Sequence, residues 1–512
     1  MKKTFTTIFY AFTLIGLMTA QDGQLDPTWN SNGILQMDVS GGHDTPHGII
    51  IQPDNKVVVA FSGGFPNASN FDFGVVRFLE DGLVDSTFGV DGIYHYSNSN
   101  ASDLLYDIKI MADGGLLLTG SYGVEPANTD FFLVKLDGNG VPDPSFGMDG
   151  LVILPIDTGL DYARSSVELD DGKIVVCGYS HVPGFNFRRN VVVRFNADGS
   201  LDDTFGTAGM FIWNDNGTAN EMYNIGILAD GGILAGGFSN PAGSERHALY
   251  KILADGSGLD ASFGNMGEVL APFEGKGYGM LIHTNGNIYL TGGASSPLGN
   301  DLLILAYDQN GMPVVDFGID GAQKVDSDVS DIGFGITQQL DGKILVCGES
   351  GGGFGGTPRA FYTVRFTEDG MLDVTWADNG IAREEVSTFF AWADKVTVMP
   401  DGRVMVAGPC AHTNNDMVVV RYGNAPVSFI PTVASINFKS FPNPVTDRLF
   451  IQSNEQLESY QITNLNGQLM SRGNFLFEQS QYEILVNDFP NGNYVLTVIG
   501  EHGLGSRIFQ KM

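Results

Sequence analysis

A nine-residue phrase recurs along this chain at nearly constant spacing. It reads LDDTFGTAG at 201–209, with variants at 25–33 (LDPTWNSNG), 142–150 (PDPSFGMDG), 259–267 (LDASFGNMG) and 372–380 (LDVTWADNG). Its central aromatic residues are separated by 59, 58, 59, 58, 54 and 59 residues: Trp29, Phe88, Phe146, Phe205, Phe263, Phe317 and Trp376. A catalytic motif usually occurs once, so a fixed period predicts a repeat architecture.

Each repeat contains the signals for four short strands. Asp-Gly or Asn-Gly stands between two apolar runs (DDGKIVVCG, for example), which is a strong hairpin signal. An extended run such as NVVVRF follows, and a further strand comes after the glycine that closes the phrase. Abundant glycine (68) and few charged residues (17%) suit short strands joined by tight turns. Seven units of this kind predict an all-β fold, a seven-bladed β-propeller.

The phrase itself is interpreted as structural. Its Asp side chain can accept hydrogen bonds from backbone N–H groups just after it, with help from the Ser or Thr before the aromatic residue. The aromatic ring can fill the space between neighbouring blades, where its removal would cost about 3–5 kcal/mol. The closing glycine allows backbone angles that a side chain would forbid.

These phrases resemble the delta-60 repeat family, propeller-type repeats of secreted bacterial proteins. The resemblance covers about residues 25–423, and several of its positions recur in all seven units. It implies the propeller fold and an extracellular location.

The two ends of the propeller are expected to meet in one blade. A basic residue in the VVRF run precedes the Asp of the phrase by eight or nine residues in five repeats, as in Arg77 and Asp85. Arg421 has no such Asp after it, and Asp26 has no such basic residue before it. The pattern therefore predicts an Asp26–Arg421 contact, with residues 34–39 antiparallel to 417–422.

The chain begins with a predicted secretory signal peptide (1–20): Lys2 and Lys3, an apolar run, and a cleavage site after Ala20. The run is too short for a membrane-spanning helix. With 27 basic and 59 acidic residues the net charge is −32, which argues against nucleic acid as a partner. The expected propeller takes up residues 21–424, followed by a linker (425–435) and a separate C-terminal domain (436–512).

The C-terminal domain reads as a small β-sandwich. FPNPVTDRLFIQ (441–452), YQITNLNGQLM (460–470) and FPNGNYVLTVI (489–499) alternate around turn residues. Together they resemble the C-terminal sorting domain of the type IX secretion system of Bacteroidetes-type bacteria; the matching residues are Pro442, Asn443, Pro444, Asn466, Gly467, Gly492, Tyr494 and Lys511. The resemblance implies the type IX machinery as a partner, and a protein anchored at the cell surface or released. A generic adhesive sandwich is the alternative.

The candidate binding site is the mouth of the propeller channel. Seven residues before the Asp-Gly pair, the repeats carry His47, Tyr106, Arg164, Tyr223, Tyr278, Phe334 and Asp394. Ten residues before it stand Asp44, Asp103, Asp161, Asn220, Gly275, Asp331 and Ala391. If this strand is innermost, aromatic and acidic side chains cluster there, suited to a sugar or a cationic group. Alternatively, the aromatic residues pack between blades and the aspartates cap strand entries.

Other motifs carry weaker chemical signals. GESGG places Ser350 in a G-x-S-x-G pattern, but no helix is predicted after it, as a nucleophile elbow requires. His43, Asp44 and His47 lie close in sequence without an evident further metal ligand. We expect Cys177, Cys347 and Cys410 to be buried free thiols, and no cofactor is predicted.

The sequence thus predicts a secreted propeller that acts as a non-enzymatic binding or scaffold module for a surface glycan or protein. A glycan-active hydrolase or lyase with channel-mouth carboxylates is the alternative. A purely structural surface-layer component is a third interpretation.

Overall fold

The structure is a computed structural model, and it describes residues 22–65, 71–97, 101–124, 128–181, 188–213, 220–297, 299–327, 329–352, 358–411, 415–424, 438–453, 457–464, 469–475, 481–500 and 503–512. The predicted signal peptide (1–20) and linker (425–435) lie outside the described residues.

The described residues before 425 form short β-strands and a turn of 3-10 helix (Pro241–Gly243). In chain order the strands are β1 (Ile34–Met37), β2 (Asp44–Ile51), β3 (Val57–Gly63), β4 (Asp72–Phe78), β5 (Ile93–Tyr96), β6 (Leu104–Ile110), β7 (Leu116–Val124), β8 (Asn128–Leu136), β9 (Leu151–Leu154), β10 (Asp161–Glu168), β11 (Ile174–His181), β12 (Arg188–Phe195), β13 (Met210–Trp213), β14 (Glu221–Ile227), β15 (Ile233–Ser239), β16 (Arg246–Ile252), β17 (Glu268–Glu274), β18 (Gly277–Ile282), β19 (Ile288–Ser296), β20 (Gly299–Tyr307), β21 (Ala322–Val325), β22 (Asp331–Gln338), β23 (Ile344–Ser350), β24 (Ala360–Phe366), β25 (Ile381–Glu384), β26 (Lys395–Val398), β27 (Val404–Ala411) and β28 (Asn415–Tyr422).

Over the described part of this region the strands form seven four-stranded antiparallel sheets. Six sheets use four consecutive strands each, from β2–β5 through to β22–β25, and the seventh has the order β1-β28-β27-β26. The first strands of neighbouring sheets (β2, β6, β10, β14, β18, β22 and β26) contact one another in a closed circle. The prediction of an all-β propeller is confirmed.

The seventh sheet joins the two ends of the ring. Strand β1 pairs antiparallel with β28, with Ile34 opposite Val420 and Met37 opposite Met417. Asp26 Oδ2 lies 2.8 Å from Arg421 Nε, so the predicted strand pairing and ion pair are confirmed. The strand ends two residues earlier than expected because the Val39 N–H donates to the Asp44 carboxylate instead (2.6 Å).

Neighbouring sheets are fastened together by the aromatic residue of the repeated phrase. All seven aromatic residues are at most 1% exposed. Each ring packs against a glycine of the next sheet, in the order Gly82, Gly140, Gly199, Gly256, Gly311, Gly370 and Gly23. A Cβ atom on these glycines would come within 2.6–3.3 Å of the ring, and all seven have positive φ. The residue after each aromatic also donates its N–H to a carbonyl of that next sheet, at 2.8–3.0 Å.

The Asp of the phrase organises the turn as expected and pairs with the basic strand residue. In the fourth sheet, Asp260 Oδ1 accepts hydrogen bonds from the Ser262 hydroxyl (2.6 Å) and N–H (3.0 Å). Its other oxygen lies 3.0 Å from Lys251 Nζ. Equivalent ion pairs, at 2.7–3.1 Å, join Arg77 to Asp85, Lys135 to Asp143, Arg194 to Asp202 and Arg365 to Asp373.

The C-terminal residues form two further antiparallel sheets. Their strands are β29 (Phe438–Phe441), β30 (Arg448–Ser453), β31 (Leu457–Asn464), β32 (Leu469–Asn474), β33 (Gln481–Leu485), β34 (Gly492–Gly500) and β35 (Gly503–Lys511). The sheet orders are β29-β30-β33 and β32-β31-β34-β35. Between them lies an apolar core that includes Leu449, Ile462, Leu496 and Phe509.

Several of the predicted sorting-domain residues have defined roles here. Gly492 opens β34, and the Tyr494 hydroxyl donates to the Pro490 carbonyl (2.7 Å). Asn443 Oδ1 accepts the Gln510 N–H (2.8 Å), which ties the segment before β30 to the last strand. Strands β31 and β32 pair antiparallel, whereas Asn466 and Gly467 between them lie outside the described residues.

We expect Asp26→Asn to lower the free energy of unfolding by about 3–5 kcal/mol, because it leaves the fully buried Arg421 guanidinium without a carboxylate. Asp416→Asn is the matched control, since Asp416 accepts a hydrogen bond from Gln36 at the surface of the same sheet (2.8 Å). Chemical denaturation of both variants measures the difference. Equal losses would contradict a closing role for the Asp26–Arg421 pair.

The same ion pairs make stability depend on pH. Hydrogen bonds from the Ser262 hydroxyl and N–H, together with Lys251, lower the pKa of Asp260 to about 2. A carboxylate whose pKa is lower in the folded chain stabilises it above the unfolded pKa, and this contribution is lost as the pH falls through the folded value. The loss of unfolding free energy caused by Asp260→Asn should therefore be largest at pH 7 and become smaller as the pH drops from about 4 towards about 2. Denaturation curves of parent and variant across this range measure it; a cost independent of pH would contradict the assignment.

Candidate functional site

Each first strand of a sheet contains one extra residue near its start. In six of these strands the pairing register shifts by one around a single position: His47, Tyr106, Arg164, Tyr223, Tyr278 and Phe334. In the seventh sheet, Ala391 pairs with Cys410 and Lys395 with Ala407, so three residues (392–394) oppose two. Asp394 is thus the equivalent residue. A β-bulge re-aims a side chain, so the seven residues chosen from their spacing share one special backbone position.

The seven bulge side chains form a ring, here called the mouth ring, and each is half-buried. The Tyr223 and Tyr278 rings are stacked with centroids 5.7 Å apart, and Phe334 meets Tyr278 edge-on at 5.1 Å. On one side of His47 its ring centroid lies 5.9 Å from that of Tyr106. On the other side His47 Nδ1 lies 3.6 Å from Asp394 Oδ2. The structure therefore brings the predicted site residues together.

Arg164 holds the aromatic half of the mouth ring in place. Its guanidinium lies over the rings of Tyr106 (4.2 Å) and Tyr223 (4.9 Å), its two neighbours in the ring. It also donates a hydrogen bond to the Tyr179 hydroxyl (3.3 Å). Spacing within the first strands could not identify Tyr179, because it lies on the second strand of its sheet.

The carboxylates at the mouth ring are engaged by cations or hydroxyls. The buried Glu221 accepts a hydrogen bond from the Tyr223 hydroxyl (2.5 Å) and forms a close ion pair with Arg188. Burial opposes the ionisation of Asp394, but Lys395, His47 and Arg164 outweigh it and lower its pKa. Burial together with Glu245 and Glu349 raises the pKa of Tyr278 to about 12. At neutral pH the mouth ring thus carries an ionised Asp394 and neutral tyrosines.

Two of the aspartates at the other candidate positions, Asp161 and Asp44, cap strand entries, as the second interpretation expects of them. Asp161 accepts the N–H groups of Ile156 (2.8 Å) and Asp157 (3.1 Å). Asp44 accepts those of Val39 (2.6 Å) and Ser40 (3.2 Å). Both are fully buried, and burial raises the pKa of each.

The other residues that the sequence analysis singled out have different surroundings in the structure. Asp44 is used as a cap, whereas His43 Nδ1 accepts the Asn415 N–H (3.0 Å) and His47 faces Asp394. Ser350 is the last residue of β23 and is 1% exposed; Gly351 and Gly352 after it have no regular secondary structure, and residues 353–357 lie outside the described residues. The three cysteines are buried and free, as predicted.

Two cavities adjoin the mouth ring. One, of about 390 Å³, occupies the channel and is lined by residues of all seven first strands, with Tyr106, Arg164, Tyr223 and Phe334 of the mouth ring on its wall. The other, of about 450 Å³, lies between the fourth and fifth sheets against Tyr278 and is lined by Glu245, Glu274 and Lys276. A ligand at the mouth ring has room on either side.

Two protein-family models match segments of this chain. Residues 52–88, 112–146, 169–205 and 339–375 match the model of the β-propeller domain of unknown function DUF5122. Residues 439–508 match the model of the secretion system C-terminal sorting domain. No curated protein sequence matches this chain.

Solved structures with similar architecture share little sequence with the chain. A catalytically inactive virginiamycin B lyase from Staphylococcus aureus is 12% identical with a TM-score of 0.44, covering 76% of this chain and 98% of its own. An α-L-arabinofuranosidase from Fusarium graminearum is 10% identical with a TM-score of 0.41, covering 80% and 98%. An α-L-arabinanase from Penicillium chrysogenum is 11% identical with a TM-score of 0.37, covering 80% and 99%.

The sorting-domain match indicates export by type IX secretion to the cell surface or the medium. No helix in the described ranges has the length and apolar character to cross a membrane.

Deleting residues 436–512 should leave the propeller in the periplasm, because the segment that the secretion machinery recognises is gone. Cell fractionation of a type IX-competent bacterium expressing the full or the shortened chain measures this. The melting temperature of the periplasmic fraction shows whether the shortened chain is folded. Folded, shortened protein in the medium at the level of the full chain would contradict the assignment.

Proposed function

We propose that this chain, which carries DUF5122 β-propeller repeats and a secretion-system sorting domain, is a non-enzymatic binding module of the cell surface. In this proposal residues 1–20 are a signal peptide, 21–424 the propeller, 425–435 a linker and 436–512 the sorting domain. The mouth ring is the ligand-binding surface, and its ligand is a surface glycan or a protein.

The observation that carries this proposal is the contrast between the mouth ring and the rest of the repeat. At each sheet boundary the same elements recur: an aromatic ring, a glycine beneath it and, in six sheets, an Asp paired with a basic residue. The bulge positions instead hold His, Tyr, Arg, Tyr, Tyr, Phe and Asp. Positions that make the same contact at every sheet boundary favour the same residue types, whereas a surface that binds a single asymmetric ligand favours several side-chain types around the ring.

A saccharide is the ligand that this surface suits best. Tyr223, Tyr278 and Phe334 offer half-buried aromatic rings that already contact one another, so little side-chain entropy would be lost on binding. Charged groups lie beside them, namely Asp394, Arg164 and Glu221. An apolar face with polar groups at its rim matches the two faces and hydroxyl edge of a sugar ring.

Catalysis on a glycan is the second candidate, and one observation favours it. Burial raises the pKa of Glu349, which is 5% exposed and pairs with Arg359 (3.0 Å), whereas the pKa of Asp394 is lowered. Two carboxyl groups whose pKa values are shifted in opposite directions suit the acid and base roles of a glycosidase. Release of reducing ends or unsaturated products from a polysaccharide panel, lost in Glu349→Gln, would favour this function over binding alone.

We expect Tyr223→Ala with Tyr278→Ala to weaken glycan binding at least about tenfold, about 1.4 kcal/mol, since both stacking faces are removed. Half-buried rings at a channel mouth contribute less to folding than core residues, so the melting temperature should change little. A glycan array identifies the ligand on the full chain, and calorimetry measures its affinity.

Phe205→Leu is the reciprocal control. Phe205 is fully buried beneath Gly256, so this change should lower the melting temperature and leave the affinity unaltered. If the tyrosine variant lost stability while keeping its affinity, the mouth ring would be packing alone.

A further inference from the structure

The channel beneath the mouth ring carries a positive charge in a strongly negative protein. The charged side chains on the wall of the 390 Å³ cavity are Arg164, Lys109, Lys395 and Asp107, three cations and one carboxylate. The whole chain has a formal charge of −32. Because exposed charges are screened beyond about 8–10 Å at physiological ionic strength, a ligand inside the channel responds mainly to these local groups.

The single carboxylate on this wall is already saturated. Asp107 Oδ2 accepts hydrogen bonds from the Ser165 hydroxyl (2.9 Å) and the Ser166 N–H (3.0 Å). Its other oxygen lies 3.1 Å from Lys109 Nζ. Asp107 is 8% exposed, so little of it can meet a ligand, and it neutralises only one of the three cations.

The other two cations, Lys395 and Arg164, can still bind an anion. Lys395 forms no ion pair within the described ranges; its neighbour Asp394 lies 3.6 Å from His47 and attracts the Lys395 charge without a direct contact. Arg164 lies mainly among tyrosine rings; its carboxylate neighbour Glu221, at 3.7 Å, is itself held by Arg188. The Nε atom of Arg164 is buried without a hydrogen-bond partner among the described residues.

We propose that the channel binds an anionic group, a carboxylate or a sulfate, on the saccharide that the mouth ring receives. The inference rests on the proposed binding function and deepens it by naming an acidic sugar as the ligand class. Arg164 links the two parts of the site, because it belongs to the mouth ring and lines the channel. Its guanidinium and the Lys395 ammonium would donate charge-assisted hydrogen bonds to the anion. This proposal keeps the sugar that the sequence pattern suggested and replaces the cationic group with an anionic one.

The test uses four sugars with one pyranose frame and three charge states: neutral glucose, anionic glucuronate and glucose 6-sulfate, and cationic glucosamine. Calorimetry on the full chain should give glucuronate or glucose 6-sulfate about 10- to 100-fold tighter than glucose, with glucosamine weakest. Comparing the two anions tells a carboxylate site from a sulfate site. Raising the salt concentration should reduce the preference.

Lys395→Met should remove most of this preference without unfolding the chain, because Lys395 forms no direct ion pair with any described residue and only its longer-range attraction to Asp394 is lost. Lys276→Met is the control: this lysine lines the neighbouring cavity and pairs with Glu245 (3.1 Å), so the preference should survive. Equal binding of all four sugars, tighter glucosamine binding, or a Lys395→Met variant that keeps the preference would overturn the anion site while leaving binding at the mouth ring intact. If none of the four sugars bound, the inference would also fail, and the array result with the tyrosine variant would decide the proposed function separately.

Discussion

The contact on which the rest of the structure depends is the one between an aromatic ring and the glycine of the next sheet. At each of the seven sheet boundaries the ring occupies space that a Cβ atom would take, and the backbone beside it donates a hydrogen bond across the boundary. The core of one sheet is thus completed by a turn of its neighbour. An open row of such sheets would leave the core of its last sheet incomplete. The ring closes because Asp22 and Gly23 supply the turn that covers Trp376, and β1 supplies the fourth strand of the seventh sheet.

This closure separates structural positions from functional ones. Because the boundaries are fastened by the phrase between the third and fourth strands, the bulge near the start of each first strand can vary without loosening the ring. Side chains of five types therefore converge on one circle, where Arg164 orders the tyrosines beside it and Asp394 pairs with His47. Below them the channel keeps Lys395 without an ion pair in the described chain and Arg164 with an unused donor. A binding surface and a charged pocket can arise in this way from a repeat whose frame stays constant.

Much of the frame could be predicted from the sequence, because its physics is local or repeated. Asp260 and Ser262 lie within one turn, and the missing partners of Arg421 and Asp26 identify each other because all other pairs are complete. The bulge positions could be counted, since a constant offset from the Asp-Gly turn places equivalent residues together. The bulge itself could not be predicted, because one extra residue in the first strand of every repeat does not change the spacing between repeats. The role of Asp161 could not be predicted either. An acidic residue before a strand can be a ligand or a buried cap, and only the backbone N–H groups that donate to it distinguish the two.

Ring closure by the N-terminal strand is the central claim, and amide hydrogen exchange tests it most directly. Strand β1 (Ile34–Met37) and strand β5 (Ile93–Tyr96) occupy the same outermost place in their sheets, but only β5 follows its sheet partners in sequence. Exchange followed by mass spectrometry on peptides covering each strand should show similar protection, because both strands are paired along their whole length. Rapid exchange of 34–37 at the rate of an unpaired segment, with 93–96 protected, would show that the ring is open.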